Sequence, residues 1–245
     1  MGMRITKRTS VASVFFAGLI VSACGFGSSP TPPVNIDQGV KTQSVFSLPS
    51  ISLPRFGGSS QRGDLPSAEV QCRTQLKRMG VSFKDIPTIR DNANCGIQYP
   101  VQVSSLGRGV ALTPPAKLNC QTALASARWL QGDVGPAARK RYLTGIAEVR
   151  QMSSYSCRRI GGGGQWSEHS KGNALDIGSF KLRNGRVIDV AKQSLFAMRA
   201  KGFLTSVRGQ ACGRFGTVLG PGDRDHHDHF HFDLRQRNKT YCSMH

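Results

Sequence analysis

The run His226-His227-Asp228-His229-Phe230-His231-Phe232-Asp233 admits few conformations. Residues two apart in a strand share a face, so as a strand it sets His229 and His231 on one side and buries Phe230 and Phe232 on the other. A second dense stretch lies upstream, Ser167-Glu168-His169-Ser170-Lys171-Gly172-Asn173-Ala174-Leu175-Asp176. Gly172 and Asn173 argue against a continuous helix there. That puts His169 in an approach loop and Asp176 on a strand face with Ala174, while Leu175 and Ile177 face the other way. Small Gly172 and Ala174 are expected to leave room beside an ion. Imidazoles mixed with carboxylates are the ligands zinc takes for hydrolytic chemistry. Two imidazoles on one rigid strand lose little entropy when such a site assembles.

The N-terminus says where this chemistry would operate. Arg4, Lys7 and Arg8 precede an uncharged run from residue 9 to Cys24, apolar through 11–21, which reads as an export signal and is short for a membrane span. The run ends in Val21-Ser22-Ala23-Cys24 and resembles the bacterial lipobox, so residues 1–23 are expected to be a lipoprotein signal peptide, with Cys24 acylated as a membrane anchor. Gly25, where such lipoproteins would need aspartate for inner-membrane retention, points to a periplasmic lipoprotein at the outer membrane. Residues 24–62 are rich in Ser, Pro and Gly and read as a flexible tether, with a reach on the order of 35 Å. Residues 63–245 then form the single folded domain.

Export makes the remaining cysteines readable as structural disulfides. They are Cys72, Cys95, Cys120, Cys157, Cys212 and Cys242, spaced too widely for a thiolate zinc site. Sequential pairing, 72 with 95, 120 with 157 and 212 with 242, closes moderate loops and is the expectation. The formal net charge of +19 has no compact Lys/Arg run with interleaved aromatics. Outside the cytoplasm it implies attraction to anionic envelope polymers, not nucleic acid.

Periodicity predicts helices over 67–79, 118–130, 137–142 and 191–201. The first starts with a capping residue and carries Val70, Leu76 and Met79 inward; Gly132 follows the second and Gly202 stops the last. Strands are expected over 99–103 paired with 109–112, then 146–152, 174–180, 186–190 after the Asn184-Gly185 turn, 215–219 and 229–234. Irregular alternation of helices and strands argues against parallel βαβ winding. The expected fold is α+β: a small, mostly antiparallel sheet with flanking helices, stapled by disulfides. Trp129 belongs to the core, and 161–164 form a mobile glycine rim rather than a phosphate cradle.

The pattern Ser167-x-His169-x-x-Gly172-x-Ala174-x-Asp176 followed by His229-x-His231 resembles the zinc peptidase superfamily of D-alanyl-D-alanine carboxypeptidases, murein endopeptidases, lysostaphin and the hedgehog domain. Tyr155-Ser156-Cys157-Arg158, the stretch 212–223 and the histidine cluster together resemble, more narrowly, the bacterial extensin-like C-terminal domain. The resemblance implies a hedgehog-like fold and one zinc ion per chain on His169, Asp176 and His231. It makes His229 and His226 catalytic, with Arg158 holding a substrate carboxylate. Trp166 is a candidate for the substrate groove. His227 and Asp228 are read as solvated loop residues, and Asp233 as a structural carboxylate paired with an arginine. The implied activity is hydrolysis of peptide bonds in peptidoglycan stem peptides or cross-links. The second cluster lacks a glutamate base, which favours an endopeptidase over a carboxypeptidase. A monomer is expected, with peptidoglycan as partner. The rival readings are a catalytically inactive zinc-containing envelope module and a 2-His-1-carboxylate iron oxygenase, the latter disfavoured by export.

Overall fold

A strand buried on both faces organises the domain. In the computed structural model, which describes residues 65–191, 193–194 and 197–244, that strand is Ala174–Leu182. The signal peptide, Cys24 and the tether lie outside the described residues. In chain order the elements are α1 (Ser67–Arg78), β1 (Ser82–Asp85), β2 (Ile89–Asn92), β3 (Cys95–Ile97), β4 (Val101–Ser105), β5 (Ala111–Leu118) and α2 (Cys120–Trp129). A wide helical turn (Leu130–Val134) leads into α3 (Gly135–Tyr142), β6 (Ile146–Ser153), β7 (Ala174–Leu182), β8 (Val187–Asp189) and α4 (Met198–Ala211). The chain closes with β9 (Thr217–Leu219), β10 (Phe230–Asp233) and β11 (Tyr241–Cys242).

The α+β class holds, yet the sheet is larger than expected. It has nine strands in the order β1-β4-β5-β6-β7-β10-β9-β11, with β8 also paired to β7, while β2 and β3 form a separate hairpin. Most pairs are antiparallel, but β5 and β6 run parallel, joined through α2 and α3. That crossover is the βαβ unit the irregular element order had argued against. β11 adds a second parallel pair against β9.

Side-chain alternation divides the central strands. Leu175 faces Phe232 and Ile177 faces Phe230 across the β7–β10 pair, and Asp176 faces His231. The apolar set packs under α2 and α4. Trp129, fully buried, meets Phe232 edge-on at 5.1 Å and donates its indole N–H to the Val207 carbonyl at 2.9 Å. Phe203 of α4 closes the same layer against Phe180 at 5.4 Å. With the helices occupied by Phe230 and Phe232, the polar face of β7 and β10 is left for chemistry.

Four expectations need correction. Cys72 pairs with Cys120 and Cys95 with Cys157; of the sequential pairs, Cys212–Cys242 alone forms. The reason is packing: Cys72 sits on the buried face of α1, which lies on α2, and the β2–β3 hairpin lies against the loop before Arg158. α1 starts at Pro66 without a side-chain cap, and Val70 points outward, 49% exposed. The last helix is displaced, running over Met198–Ala211 straight through Gly202. Gly202 is a contact, not a stop: a Cβ there would lie 2.5 Å from Nη1 of Arg141 on α3. Gly172 likewise leaves no room for an ion. It adopts φ +61° at the end of a short turn, and a Cβ would meet Cδ1 of Ile97 at 2.2 Å.

Candidate metal centre

β7 and β10 place Asp176 and His231 directly opposite each other, and the turn Glu168–Lys171 brings His169 over them. That turn is fixed at both ends. The Ser167 hydroxyl accepts from the His169 N–H at 3.3 Å, and Gly172 closes it in the left-handed region. The three side chains converge: His169 Nε2 lies 3.1 Å from Asp176 Oδ1 and 3.2 Å from His231 Nδ1, and His231 Nδ1 lies 2.8 Å from the same Asp176 oxygen. All three residues are buried, at 0%, 2% and 8% exposure. Such groups are costly to bury unless something satisfies them together.

The outer hydrogen bonds determine which atoms face inward. His169 Nδ1 meets the Ser154 carbonyl, which can only accept, so that nitrogen carries the proton and Nε2 presents a lone pair. His231 Nε2 donates to Asp233 Oδ2 at 3.1 Å, which turns the Nδ1 lone pair inward. Two imine nitrogens and a carboxylate oxygen thus meet as three acceptors, an arrangement that needs a cation or an extra proton at its centre. Burial opposes charge on Asp176, but with the extra proton at the centre, hydrogen bonds from His169 and His231 outweigh this and hold the carboxyl well below the usual range. Burial also opposes the His231 imidazolium, yet hydrogen bonds to Asp176 and Asp233 prevail and raise it to about 9. The field that stabilises a proton there equally suits a metal ion, and these three residues could hold one.

The rim orders the other candidates. His229 Nδ1 donates to Asp228 Oδ1 at 2.8 Å, so its Nε2 lone pair faces the centre, 3.9 Å from Asp176 Oδ2. The His226 ring lies 5.1 Å from that of His229 and 5.5 Å from that of His231, and burial pushes its pKa down. Arg158 Nη2 donates to Asp176 Oδ2 at 3.3 Å while half its side chain stays exposed. These groups line a cleft of about 320 Å³ together with Arg237 and Tyr241. Trp166 lies outside it. Its ring stacks under Arg159 at 4.5 Å and lines the neighbouring groove beside the β2–β3 hairpin. Gly161 reaches the cleft and the glycine run is exposed.

Two carboxylates carry roles that sequence reasoning assigned elsewhere. Asp228 is the hydrogen-bond partner of His229 rather than a solvated loop residue, and the hydrogen bond from His229 lowers its pKa. Asp233 serves His231 and the backbone N–H of Arg235, not a guanidinium. The signal for Asp233 was present: it sits two residues beyond His231 on one strand face. Glu168 is buried and committed to Arg235 Nε at 3.1 Å and to Asn173 at 2.6 Å. If Asp233 orients a metal ligand, Asp233→Ala should weaken metal affinity about 10- to 100-fold without unfolding the domain. Chelator competition together with circular dichroism checks both halves of that expectation.

Comparison with known families gives one match: residues 70–243 fit the family described as extensin-like protein C-terminus. No curated protein and no solved structure matches the chain.

Proposed function

The chain belongs to the extensin-like protein C-terminus family, and we propose that it is an exported zinc metallopeptidase cutting peptide bonds in peptidoglycan stem peptides or cross-links. The observation that carries this reading is the convergence of His169 Nε2, Asp176 Oδ1 and His231 Nδ1, each flanked by a group that fixes its orientation. Two imidazoles and one carboxylate with an approachable side are the ligand set of catalytic rather than structural zinc. The spacing of these residues resembles the zinc peptidase superfamily and its hedgehog-like fold, which supports the same reading.

Zinc held by these three residues would supply Lewis acidity toward an amide carbonyl and toward water. The remaining roles fall to the chain. His229, its tautomer set by Asp228, offers Nε2 to take a proton from the attacking water and return it to the leaving amine. His226 lies close enough to stabilise charge developing beside it. Arg158 can turn its exposed guanidinium from Asp176 to a substrate carboxylate. Glu168, held by Arg235 and Asn173, is not free to serve as a base, which keeps the endopeptidase reading ahead of the Glu-dependent carboxypeptidase one. The lipobox at Cys24 and the net charge of +19 agree with a site tethered at the outer membrane and facing an anionic wall.

The test is mass analysis of isolated sacculi incubated with the zinc-loaded mature protein. New peptide fragments are expected with wild type and none with His231→Ala. If wild type releases no new fragments and His231→Ala behaves identically, the domain is an inert envelope module. Stoichiometric iron in place of zinc would favour an oxygenase instead.

A further inference from the structure

Far from the cleft, exposed apolar side chains stand among arginines around Tyr142. Leu143, at the end of α3, is 91% exposed, and Met198, at the start of α4, is 71% exposed. The chain neighbours of these two residues tie them to one place. Arg186 and Arg199 hold their guanidinium carbons 5.8 and 5.9 Å from the centre of the Tyr142 ring, and Arg141 lies on Gly202 of α4. The Tyr142 ring itself packs edge-on to Phe203 at 5.8 Å, which anchors the group to the core.

Fold stability does not account for Leu143. It ends α3 in the left-handed region, φ 56° and ψ 25°, where glycine or asparagine is the ordinary choice. The side chain is nonetheless bulky, apolar and turned to water. The surrounding charge is one-sided: Arg139, Lys140 and Arg141 form the last turn of α3, and Arg183 precedes the β7–β8 turn. Asp189, at the end of β8, is the acid of that strand. Protruding apolar tips within a cationic field suit an anionic lipid surface, where the tips enter the headgroup region and the arginines meet phosphates. An anionic polysaccharide would need the charges but leave the apolar tips unsatisfied.

We propose that this face, built on Leu143 and Met198 with Arg186 and Arg199, docks the domain on the surface of an anionic phospholipid bilayer. It does so independently of hydrolysis at the metal centre and of the N-terminal attachment. Arg186 pairs with Leu182 at the end of β7, six residues along the strand from Asp176 and about 20 Å away at the usual strand rise. Docking therefore leaves the cleft clear of the bilayer.

The experiment places a reporter on the face. Full-length Leu143→Trp carrying Cys24→Ser, so that no acyl anchor forms, is mixed with vesicles of brominated phosphatidylcholine, either alone or with about a third phosphatidylglycerol. Emission from the introduced indole is expected to shift blue and be quenched by the anionic vesicles only, and added salt should reverse this. Arg186→Glu with Arg199→Glu should raise the lipid concentration required by about tenfold or more. Val70→Trp, on α1, should remain unquenched. Absence of quenching at position 143 overturns the proposal, as does equal quenching by neutral vesicles or at position 70. So does binding of dextran sulfate at this face, sensitive to the two reversals, while anionic vesicles leave the emission from position 143 unchanged.

Discussion

Asp176→Ala should lower zinc affinity by at least about a hundredfold if it is one of the proposed ligands, since loss of a ligand costs more than loss of an orienting partner. Equilibrium dialysis against a chelator series measures it, and retention of wild-type affinity would remove Asp176 from the centre. The same substitution has a distinct signature in metal-free protein. His231 is raised to about 9 from 6.5, chiefly through Asp176 against the cost of burial. A raised pKa contributes stability that is complete below the unfolded value and disappears as pH rises through the folded one. Asp176 itself is depressed, so its share is present above 3.8 and is lost as pH falls toward its lower folded value. The stability gap between wild type and Asp176→Ala should thus be widest between about pH 4 and 6.5 and should shrink above about pH 9. Zinc on the proposed ligands would have to displace the proton on His231, so its binding near pH 7 should release about one proton in wild type. Calorimetry in buffers of different ionisation enthalpy reads that number.

The second large effect is mechanical. Trp129→Ala removes the side chain that joins α2 to β7, β10 and α4, leaving a cavity and losing the hydrogen bond to the Val207 carbonyl. A loss of about 3–5 kcal/mol is expected, equivalent to a melting shift on the order of 10 °C for a domain of this size. Denaturant unfolding of the metal-free protein keeps this separate from ligand effects. A loss below about 1 kcal/mol would mean that Phe180, Phe203 and Phe232 close over the gap.

The centre could be anticipated from local pattern because its geometry is local. Strand alternation in 229–233 and 174–176 is enough to turn His231 and Asp176 to the same face, whatever surrounds them. What the pattern lacks is the identity of neighbours far along the chain. Cys72 finds Cys120 because α1 lies on α2, and Cys95 finds Cys157 because a hairpin folds onto the site loop; neither contact leaves a periodic trace. Gly202 reads as a terminator until Arg141 is seen against it. Gly172 reads as room for an ion until Ile97 occupies the space. Asp233 reads as an arginine's partner because this chain has many arginines, whereas strand geometry puts His231 nearer. Strands β1 and β2 escape notice because they carry mostly exposed polar residues, and β3 because three residues are too few to show an alternation.

The disulfide pairing has a consequence for how the chain withstands cutting. Cys72–Cys120 and Cys95–Cys157 interleave, so a single break anywhere between residues 72 and 157 leaves both pieces covalently joined. Cys212–Cys242 protects the C-terminal segment in the same way. Between residues 158 and 211 no disulfide among the described residues spans the chain. The exposed glycine run at 161–164 falls in that unbridged interval, between Arg158 and His169. One proteolytic nick there would part the arginine at the cleft from the metal ligands for good once the sheet opened, whereas nicks on either side would be healed by refolding.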